Sequence, residues 1–433
     1  MKKYTNIKLL LAGLVLVASA CKTEIDVPAV STGGADFTKY IAIGNSLTSG
    51  YADNGLYLAG QLNSYPNIIA QQMKVAGGGD FKQPLFTEAQ SNGSGYLKLD
   101  GFNADGTPKL VPVTDKLAYR NAQKQFTKYT DEINNLGIPG MRLDLAVTPL
   151  ANSFSAQNPY FERLLPDAEV GTKTYLQFIS GRNHTFFTCW LGNNDVLGWA
   201  TNGGVVAGDP TKALTSKADF TMAYNGLIAT MTAQGQKGAV ANIPDVTAIP
   251  YFNTVTVAAI NAGLKANPQT ADYSLIINAL NPATGLHSPR PATNEDLIIL
   301  TFNTAGIGVN GYGLSPLNPI ANNQVLDKAE VAKAQDHVSS YNATIKAIAD
   351  AKGLAFFDAY TFLNTFKDEG AVIDGVAFTA DFIRGNAFSL DGVHLTQKGY
   401  AVVANEFIKS INAKYGSNLS TVSLSNYPAV VFP

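Results

Sequence analysis

Two short polar stretches carry residue types that could perform nucleophilic catalysis. Ser46 follows a hydrophobic run in "KYIAIGNS", and "SLDGVHL" places Asp391 three residues before His394. An aspartate at this spacing can accept the imidazole Nδ1 proton, which leaves Nε2 free to take a proton from a serine. Each stretch alone also fits an ordinary structural role: Ser46 as a turn serine or helix N-cap, and Asp391 with His394 as a capping or surface turn.

Two further turns could stabilise the negative charge that such an attack creates. "NLGIPG" (135–140) is punctuated by glycine and offers backbone N–H groups, while "LGNND" (191–195) places side-chain amides after a hydrophobic run. An oxyanion hole needs rigid, neutral donors at such strand ends. Either stretch alone also fits an ordinary loop.

The other reactive side chains have less support. Cys189 lies within "FFTCWLG" and is predicted to be a buried small hydrophobic residue, and His184 just before it is predicted to be structural. His287 is predicted to lie in a loop and His337 in a polar helix, and neither has a comparable partner nearby in sequence. No His or Cys spacing matches a zinc site, so the sequence predicts neither a metal site nor a cofactor.

The elements that must position these residues alternate between short β-rich runs and helical stretches from residue 37 onward, the pattern of parallel strands joined by crossover helices. Strands are predicted at 39–43, 185–191, 237–243 and 354–359, with helices at 326–352 and after Thr396. The carboxyl ends of parallel strands share one edge, where open α/β folds place their ligand sites. Residues 76–130 are predicted to form a hairpin-bearing insertion, and residues 251–325 long loops with little regular structure. Both could form walls of a substrate site.

Composition limits the class of partner. The chain has 433 residues, 46% of them hydrophobic and 15% charged, which is enough to bury a large core. The formal charge is −2 and no run of five like charges occurs, so no electrostatic footprint for nucleic acid is present. We expect no nucleic-acid partner.

The N-terminus predicts export. Lys2 and Lys3 precede an apolar stretch at 9–20, which fits a signal peptide over residues 1–20. "VASAC" resembles the lipobox of bacterial lipoproteins, with Ala18 where that motif prefers Leu; the resemblance implies that Cys21 is lipidated. Residues 21–36 would then be a lipidated N-terminus and flexible tether, and the protein an outer-membrane lipoprotein, periplasmic or surface-exposed, of a Gram-negative bacterium. An ordinary secretory signal cleaved near Ala20 is the alternative.

Taken in chain order, the polar stretches resemble the sequence blocks of the SGNH hydrolases, also called the GDSL family. The matching pieces are "GNSL" at 44–47, Gly140, "GNND" at 192–195 and "DGVH" at 391–394. The resemblance implies an α/β fold, a flavodoxin-like three-layer α/β/α sandwich with about five parallel strands, as a single domain over 37–433.

The resemblance also implies roles for individual residues. Ser46 would be the nucleophile, His394 the base and Asp391 its orienting partner. The oxyanion would be held by the Ser46 and Gly140 backbone N–H groups and the Asn194 side-chain amide. Asn45 stands where the family usually has Asp; we expect the amide to keep the hydrogen bonding of the loop while the charge is lost.

The activity implied is a serine esterase that hydrolyses acyl or acetyl esters through an acyl-serine intermediate, without a cofactor. Its substrate would be a small-molecule ester or an esterified polysaccharide, and lipase, carbohydrate esterase and acyltransferase all use the same residues. The alternative is a non-catalytic surface lipoprotein that binds glycan or protein on the same scaffold.

Overall fold

A five-stranded parallel sheet lies at the centre of the computed structural model, which describes residues 30–104, 106–147 and 158–433. The strands of the chain are β1 Tyr40–Gly44, β2 Tyr96–Phe102, β3 Pro108–Val113, β4 Asn135–Gly137, β5 Phe186–Trp190, β6 Lys237–Ala241, β7 Ile276–Leu280, β8 His287–Pro291, β9 Leu297–Ile298, β10 Val325–Leu326, β11 Ala355–Phe357, β12 Ala371–Ile373 and β13 Val376–Phe378. The central sheet has the order β11-β6-β5-β1-β4.

The two middle strands are almost wholly apolar, with Thr188 as an exception, which fits a sheet that helices cover on both faces. Every residue of β1 and β5 is buried, and the two strands pair in register from Tyr40 with Phe186 to Gly44 with Trp190. Four of the five strands lie within a residue or two of the predicted segments. The fifth, β4, occupies the first half of the stretch that was predicted only as a turn, because three residues at a sheet edge give little periodic signal.

Helices form the two outer layers. Within the described ranges, the α-helices are Ser46–Ser49, Leu58–Leu62, Tyr65–Val75, Leu143–Val147, Pro159–Glu162, Tyr175–Ser180, Asn194–Ala200, Lys217–Met231, Pro250–Asn253, Val257–Ala266, Lys328–Ala351, Ala359–Asp368 and Gln397–Tyr415. On one side Tyr65 stacks on Phe407 with ring centroids 5.0 Å apart. Elsewhere Phe220 stacks on Tyr341 at 3.9 Å, between two long helices. The three-layer α/β/α fold is therefore present.

The structure agrees with the prediction for the first insertion and differs from it for the second. The first contains the antiparallel hairpin β2–β3. The prediction of little regular structure over 251–325 was wrong: it holds the helix Val257–Ala266, capped by the Thr256 side chain, and the hairpin β7–β8. The Asn, Pro and Gly residues that suggested loops lie largely between these elements, and Pro289 and Pro291 are tolerated because they lie on β8, an edge strand that, among the described residues, pairs only with β7.

The last part of the predicted tether belongs to the domain. The Gly34 N–H donates to the Tyr415 carbonyl at 2.7 Å, and the Asn418 N–H donates to the Ser31 carbonyl at 3.1 Å. These bonds attach residues 31–34 to the end of the helix Gln397–Tyr415. The predicted signal peptide and Cys21 lie outside the described residues. Within the described ranges, no helix combines the length and the apolar character needed to cross a bilayer.

Candidate active site

Ser46 is presented by a tight turn between β1 and a short helix. A Cβ atom on Gly44 would lie 2.0 Å from the Thr48 hydroxyl oxygen, so only glycine permits this close approach. Asn45 is the N-cap of the helix Ser46–Ser49, and its Oδ1 accepts from the Leu47 N–H at 3.1 Å. The amide at position 45 thus forms the local hydrogen bond expected of it, without a charge.

Ser46, His394 and Asp391 form a continuous hydrogen-bonded chain. Ser46 Oγ lies 2.9 Å from His394 Nε2, and His394 Nδ1 lies 2.8 Å from Asp391 Oδ2. The serine and the histidine are 348 residues apart in sequence. With Nδ1–H donating to the carboxylate, Nε2 can accept the serine proton, the arrangement that activates a serine nucleophile.

Asp391 is held as an anion by its surroundings. Its Oδ1 accepts from the backbone N–H groups of Val393 and His394, both at 2.8 Å, and from the Ser389 hydroxyl at 3.2 Å. Its Oδ2 accepts from the Asn54 N–H at 2.9 Å as well as from the imidazole. Burial alone would raise the pKa of Asp391, but the neighbouring imidazole and these donors hold that pKa well below its ordinary value.

The three predicted oxyanion donors line one cleft beside the serine. Ser46, Gly140 and Asn194 all contribute to its wall. Within the described residues, the backbone N–H groups of Ser46 and Gly140 donate to no protein acceptor. The Asn194 amide donates one bond to the Met141 carbonyl at 2.9 Å, which fixes its orientation and leaves its second N–H for a ligand.

A buried ion network joins the two loops that carry Gly140 and Asn194. The Asp195 carboxylate accepts from the Leu143 N–H at 2.8 Å, the Asp144 N–H at 3.2 Å and the Thr215 hydroxyl at 2.7 Å. The buried Arg142 guanidinium donates to the Asn194 carbonyl at 3.3 Å. Burial, together with Asp144, raises the pKa of Asp195 to about 6. No local sequence pattern indicates this role of Asp195, which directly follows the predicted donor Asn194.

Two cavities meet at Ser46. The first, called here the apolar pocket, has a volume of about 50 Å³. Its apolar lining includes Leu47, Trp190, Val246, Ile249, Leu363 and Phe388. The second, called here the open cleft, has a volume of about 420 Å³ and is lined by Tyr51, Pro139, Asn158, Tyr160 and the three residues predicted to hold the oxyanion. The two insertions, 76–130 and 251–325, contribute no described residue to either lining, so the expectation that they wall the site was wrong. Much of the lining follows the carboxyl ends of the central strands, and the rest includes Leu363 from the helix Ala359–Asp368 and Tyr160 from the helix Pro159–Glu162.

Two further residues support this site without having been predicted. The Tyr51 ring lies 4.6 Å from the His394 ring, centroid to centroid, and restricts the imidazole on one side. The Asn158 amide donates to the Pro139 carbonyl at 2.8 Å and so holds the turn that presents Gly140. "NP" at 158–159 is an N-cap signal that could have identified the helix start, whereas nothing in the local sequence marks Tyr51.

The remaining reactive side chains are engaged elsewhere. Cys189 is fully buried, and burial raises the pKa of its thiol to about 12, which suits an inert core residue. The ring nitrogens of His184 lie 3.1 Å from the Arg182 carbonyl oxygen and 2.9 Å from the Met231 carbonyl oxygen, as expected of a structural histidine. His287 lies near Asp327 and Glu330, three groups whose spacing would suit a metal ion. Both carboxylates, however, cap the helix Lys328–Ala351 through reciprocal backbone bonds.

The chain has only distant structural similarity to the solved structures named here. One neighbour is a variant of Axe2, an acetyl-xylooligosaccharide esterase from Geobacillus Stearmophilus, at 10% identity and a TM-score of 0.35 over 88% of this chain and 96% of the other. Another is LAE5, an alpha/beta hydrolase enzyme from the metagenome of Lake Arreo, at 11% identity and a TM-score of 0.33 over 87% and 96%. Likenesses at these TM-scores carry no argument about function. A comparison with curated proteins gives no match.

The family of the chain is shown by a sequence match that covers most of its length. The sequence model of the GDSL-like lipases and acylhydrolases matches residues 40–407, most of the chain and all of the blocks described above. This range begins at β1, which carries Ser46 at its end, and closes in the helix that follows His394. The chain belongs to the GDSL-like lipase/acylhydrolase family.

Proposed function

We propose that this GDSL-family hydrolase is a serine esterase that cleaves carboxylic esters of short acyl groups through an acyl-serine at Ser46. One observation carries the proposal: Ser46, His394 and Asp391 are linked by hydrogen bonds of 2.9 and 2.8 Å at a cleft that is also lined by Gly140 and Asn194. A helix N-cap or turn serine would require neither the imidazole nor the carboxylate behind it.

In the first half of the reaction, Ser46 Oγ attacks the ester carbonyl carbon while its proton moves to His394 Nε2. The carbonyl oxygen becomes an anion held by the Ser46 and Gly140 N–H groups and the Asn194 amide. Collapse of this intermediate breaks the bond to the alcohol, which leaves with the proton from His394. Asp391 stays ionised and stabilises the imidazolium in between.

In the second half, water replaces the alcohol. His394 Nε2 takes a proton from water as its oxygen attacks the acyl-serine carbonyl. The same three donors hold the second anion, and the proton returns to Ser46 Oγ as the carboxylic acid leaves. All proton transfers thus run through one nitrogen, and the acid and the alcohol are the only products.

The two cavities suggest how the ester lies. The apolar pocket suits the acyl group, because burying apolar surface contributes about 25 cal/mol per Å². Its volume of about 50 Å³ is small, and a cavity of about 150 Å³ is what holds one benzene ring. A pocket smaller than one that holds benzene favours acyl groups of a few carbon atoms. The larger open cleft, with Tyr51 and Tyr160, would receive the alcohol.

The predicted lipid anchor bears on the type of alcohol. The first described residues join the domain near the amino end of β1, whereas Ser46 follows its carboxyl end. From Cys21 to Val30 the chain has nine Cα–Cα steps, a reach of at most roughly 32 Å. An anchor at Cys21 would therefore attach to the domain at the edge of the sheet opposite Ser46. This supports a soluble or polymeric ester, such as an acetylated polysaccharide, over a membrane lipid.

The test is hydrolysis of p-nitrophenyl esters, from acetate to long-chain acyl, by the protein lacking residues 1–21. Ser46→Ala and His394→Ala should abolish turnover. His337→Ala is the matched control, because His337 is a half-buried helical histidine whose ring nitrogen bonds to the Lys333 carbonyl and whose ring packs against Tyr341, away from the catalytic serine; it should retain full activity. We expect acetate and butyrate to be cleaved faster than long-chain esters.

Other outcomes would change the conclusion. Faster cleavage of long-chain esters would contradict the assignment of the apolar pocket to short acyl groups. Activity that survives Ser46→Ala would contradict the nucleophile. A wild-type protein as inert as its variants on these and on acetylated polysaccharide esters would leave the binding-protein alternative as the better hypothesis.

A further inference from the structure

A strained turn outside the catalytic groups contacts the loop that carries Asp391. Asp53 and Asn54 are consecutive non-glycine residues with left-handed backbones, φ +52° and +61°. Such conformations are uncommon and persist where surrounding contacts enforce them. We propose that Asp53 is a positioning residue, which holds this turn so that the Asn54 N–H fixes the Asp391 carboxylate for its bond to His394. The proposal rests on the function proposed above.

The first contact is direct. The Asn54 N–H donates to Asp391 Oδ2 at 2.9 Å, the same oxygen that accepts from His394 Nδ1 at 2.8 Å. Oδ1 is held by two backbone N–H groups of its own loop. The Asn54 N–H therefore supplies the donor from outside the loop on the oxygen that orients the imidazole.

The second set of contacts attaches the turn to the same loop. Asp53 Oδ1 accepts from the Leu390 N–H at 3.0 Å, and the Asp53 N–H donates to the Ser389 hydroxyl oxygen at 2.9 Å. That hydroxyl in turn donates to Asp391 Oδ1 at 3.2 Å. Both residues preceding Asp391 are thus bonded to Asp53, one through its side chain and one through its backbone.

The third set of contacts makes the turn rigid. Asp53 Oδ2 accepts from the Tyr57 hydroxyl at 2.7 Å, and the Asp53 carbonyl accepts from the Leu97 N–H at 2.7 Å. The Tyr57 ring stacks on Tyr96 with centroids 4.2 Å apart. Through these contacts the hairpin β2–β3, which lines neither cavity, supports the catalytic carboxylate from behind.

Two substitutions of Asp53 distinguish the effect of its hydrogen bonds from the effect of its negative charge. In Asp53→Asn the amide oxygen can keep the Leu390 N–H, and the amide nitrogen can donate to the Tyr57 hydroxyl, which is both donor and acceptor. Asparagine also tolerates the left-handed backbone. Asp53→Ala loses both bonds. A positioning role therefore predicts that asparagine restores what alanine loses.

The experiment compares wild type with Asp53→Ala, Asp53→Asn and Asp374→Ala. Asp374 is a matched control, because it has φ +51° in the exposed turn between β12 and β13. The readouts are kcat and KM on p-nitrophenyl acetate, and the low-field proton resonance of His394 Nδ1–H, assigned by its loss in His394→Ala. We expect Asp53→Ala to lower kcat about tenfold with KM unchanged and to weaken the resonance. The other two variants should match wild type.

Equal kcat and resonance in Asp53→Ala and Asp374→Ala would overturn the inference, and so would an Asp53→Asn variant as impaired as Asp53→Ala. If Asp53→Ala does not fold, Tyr57→Phe removes one of the two bonds and should lower kcat by a smaller factor; no change in kcat or resonance would again overturn it. Absence of hydrolysis in wild type would contradict the proposed function alone, since the resonance still reports whether Asp53 orients the His394–Asp391 pair.

Discussion

Replacing Asp391 by asparagine tests the proposed mechanism most sharply, because the structure determines how the new amide must lie. Two backbone N–H groups point at Oδ1, whereas one backbone N–H and the imidazole point at Oδ2. An amide nitrogen at the Oδ1 position would leave two buried N–H groups unpaired, each costing about 1–3 kcal/mol. Placed at the Oδ2 position it leaves only the Asn54 N–H unpaired, since the imidazole can change its tautomer.

The favoured orientation reverses the bond to the histidine. The new NH₂ group donates to His394 Nδ1, so the imidazole proton must move to Nε2, which then faces Ser46 Oγ as a donor. A donor cannot take the serine proton. We expect kcat to fall by about 10⁴, the effect of an unusable tautomer in a serine triad, which corresponds to roughly 5.5 kcal/mol.

The assay is kcat on p-nitrophenyl acetate at constant pH, with folding checked by circular dichroism and thermal unfolding. Asp327→Asn is the matched control, because Asp327 is also a buried carboxylate bonded by backbone N–H groups, at the start of the helix Lys328–Ala351. It should affect stability and leave kcat unchanged. A folded Asp391→Asn protein with kcat within tenfold of wild type would refute the tautomer argument.

Three further predictions concern the oxyanion hole, the apolar pocket and pH. Asn194→Ala should lower kcat by about 10²–10³, or roughly 2.7–4 kcal/mol, with little change in KM; an unchanged kcat would remove Asn194 from the oxyanion hole. Leu363→Ala enlarges the apolar pocket and should raise the ratio of butyrate to acetate hydrolysis, whereas equal changes for both esters would place the acyl group elsewhere. Burial raises the pKa of Glu330 to about 8, although the Asp327 N–H that bonds to its carboxyl group favours the charged form. Between about pH 5 and 8 the folded state therefore keeps a proton that the unfolded state has lost, so the free energy of unfolding should fall with rising pH by roughly 2–4 kcal/mol. Denaturant titrations should show this fall in wild type and lose most of it in Glu330→Gln; the same slope in both would contradict the assignment.

The sequence identified the reactive residues because each lies in a short local pattern. A hydrophobic run followed by Gly44, Asn45 and Ser46 predicts a strand and a turn, and an aspartate three residues before His394 predicts an orienting pair. A strand that is buried on both faces gives a continuous apolar run of about five to seven residues. Such a run can be recognised locally, so four strands of the sheet were also predictable. The order of the polar blocks was sufficient for the family.

Other features of the site depend on contacts between distant segments. The bonds from the turn at Asp53 to Leu390 and from Arg142 to the Asn194 carbonyl join residues 337 and 52 positions apart. No local pattern encodes such pairs, because either partner alone is an ordinary polar side chain. The prediction that the two insertions form walls of the substrate site was wrong for the same reason. Their composition suggested such walls, whereas the packing of the chain places both insertions outside the two cavities.

The sequence by itself therefore determined which side chains could react, which elements carry them and which family the chain resembles. Only the tertiary structure decided that Ser46 Oγ lies 2.9 Å from an imidazole that is 348 residues away, and that an apolar pocket and an open cleft meet at that oxygen. The physical reason is that hydrogen bonds and cavities depend on the relative positions of whole strands and loops, which a parallel sheet fixes through long-range packing and not through local preference.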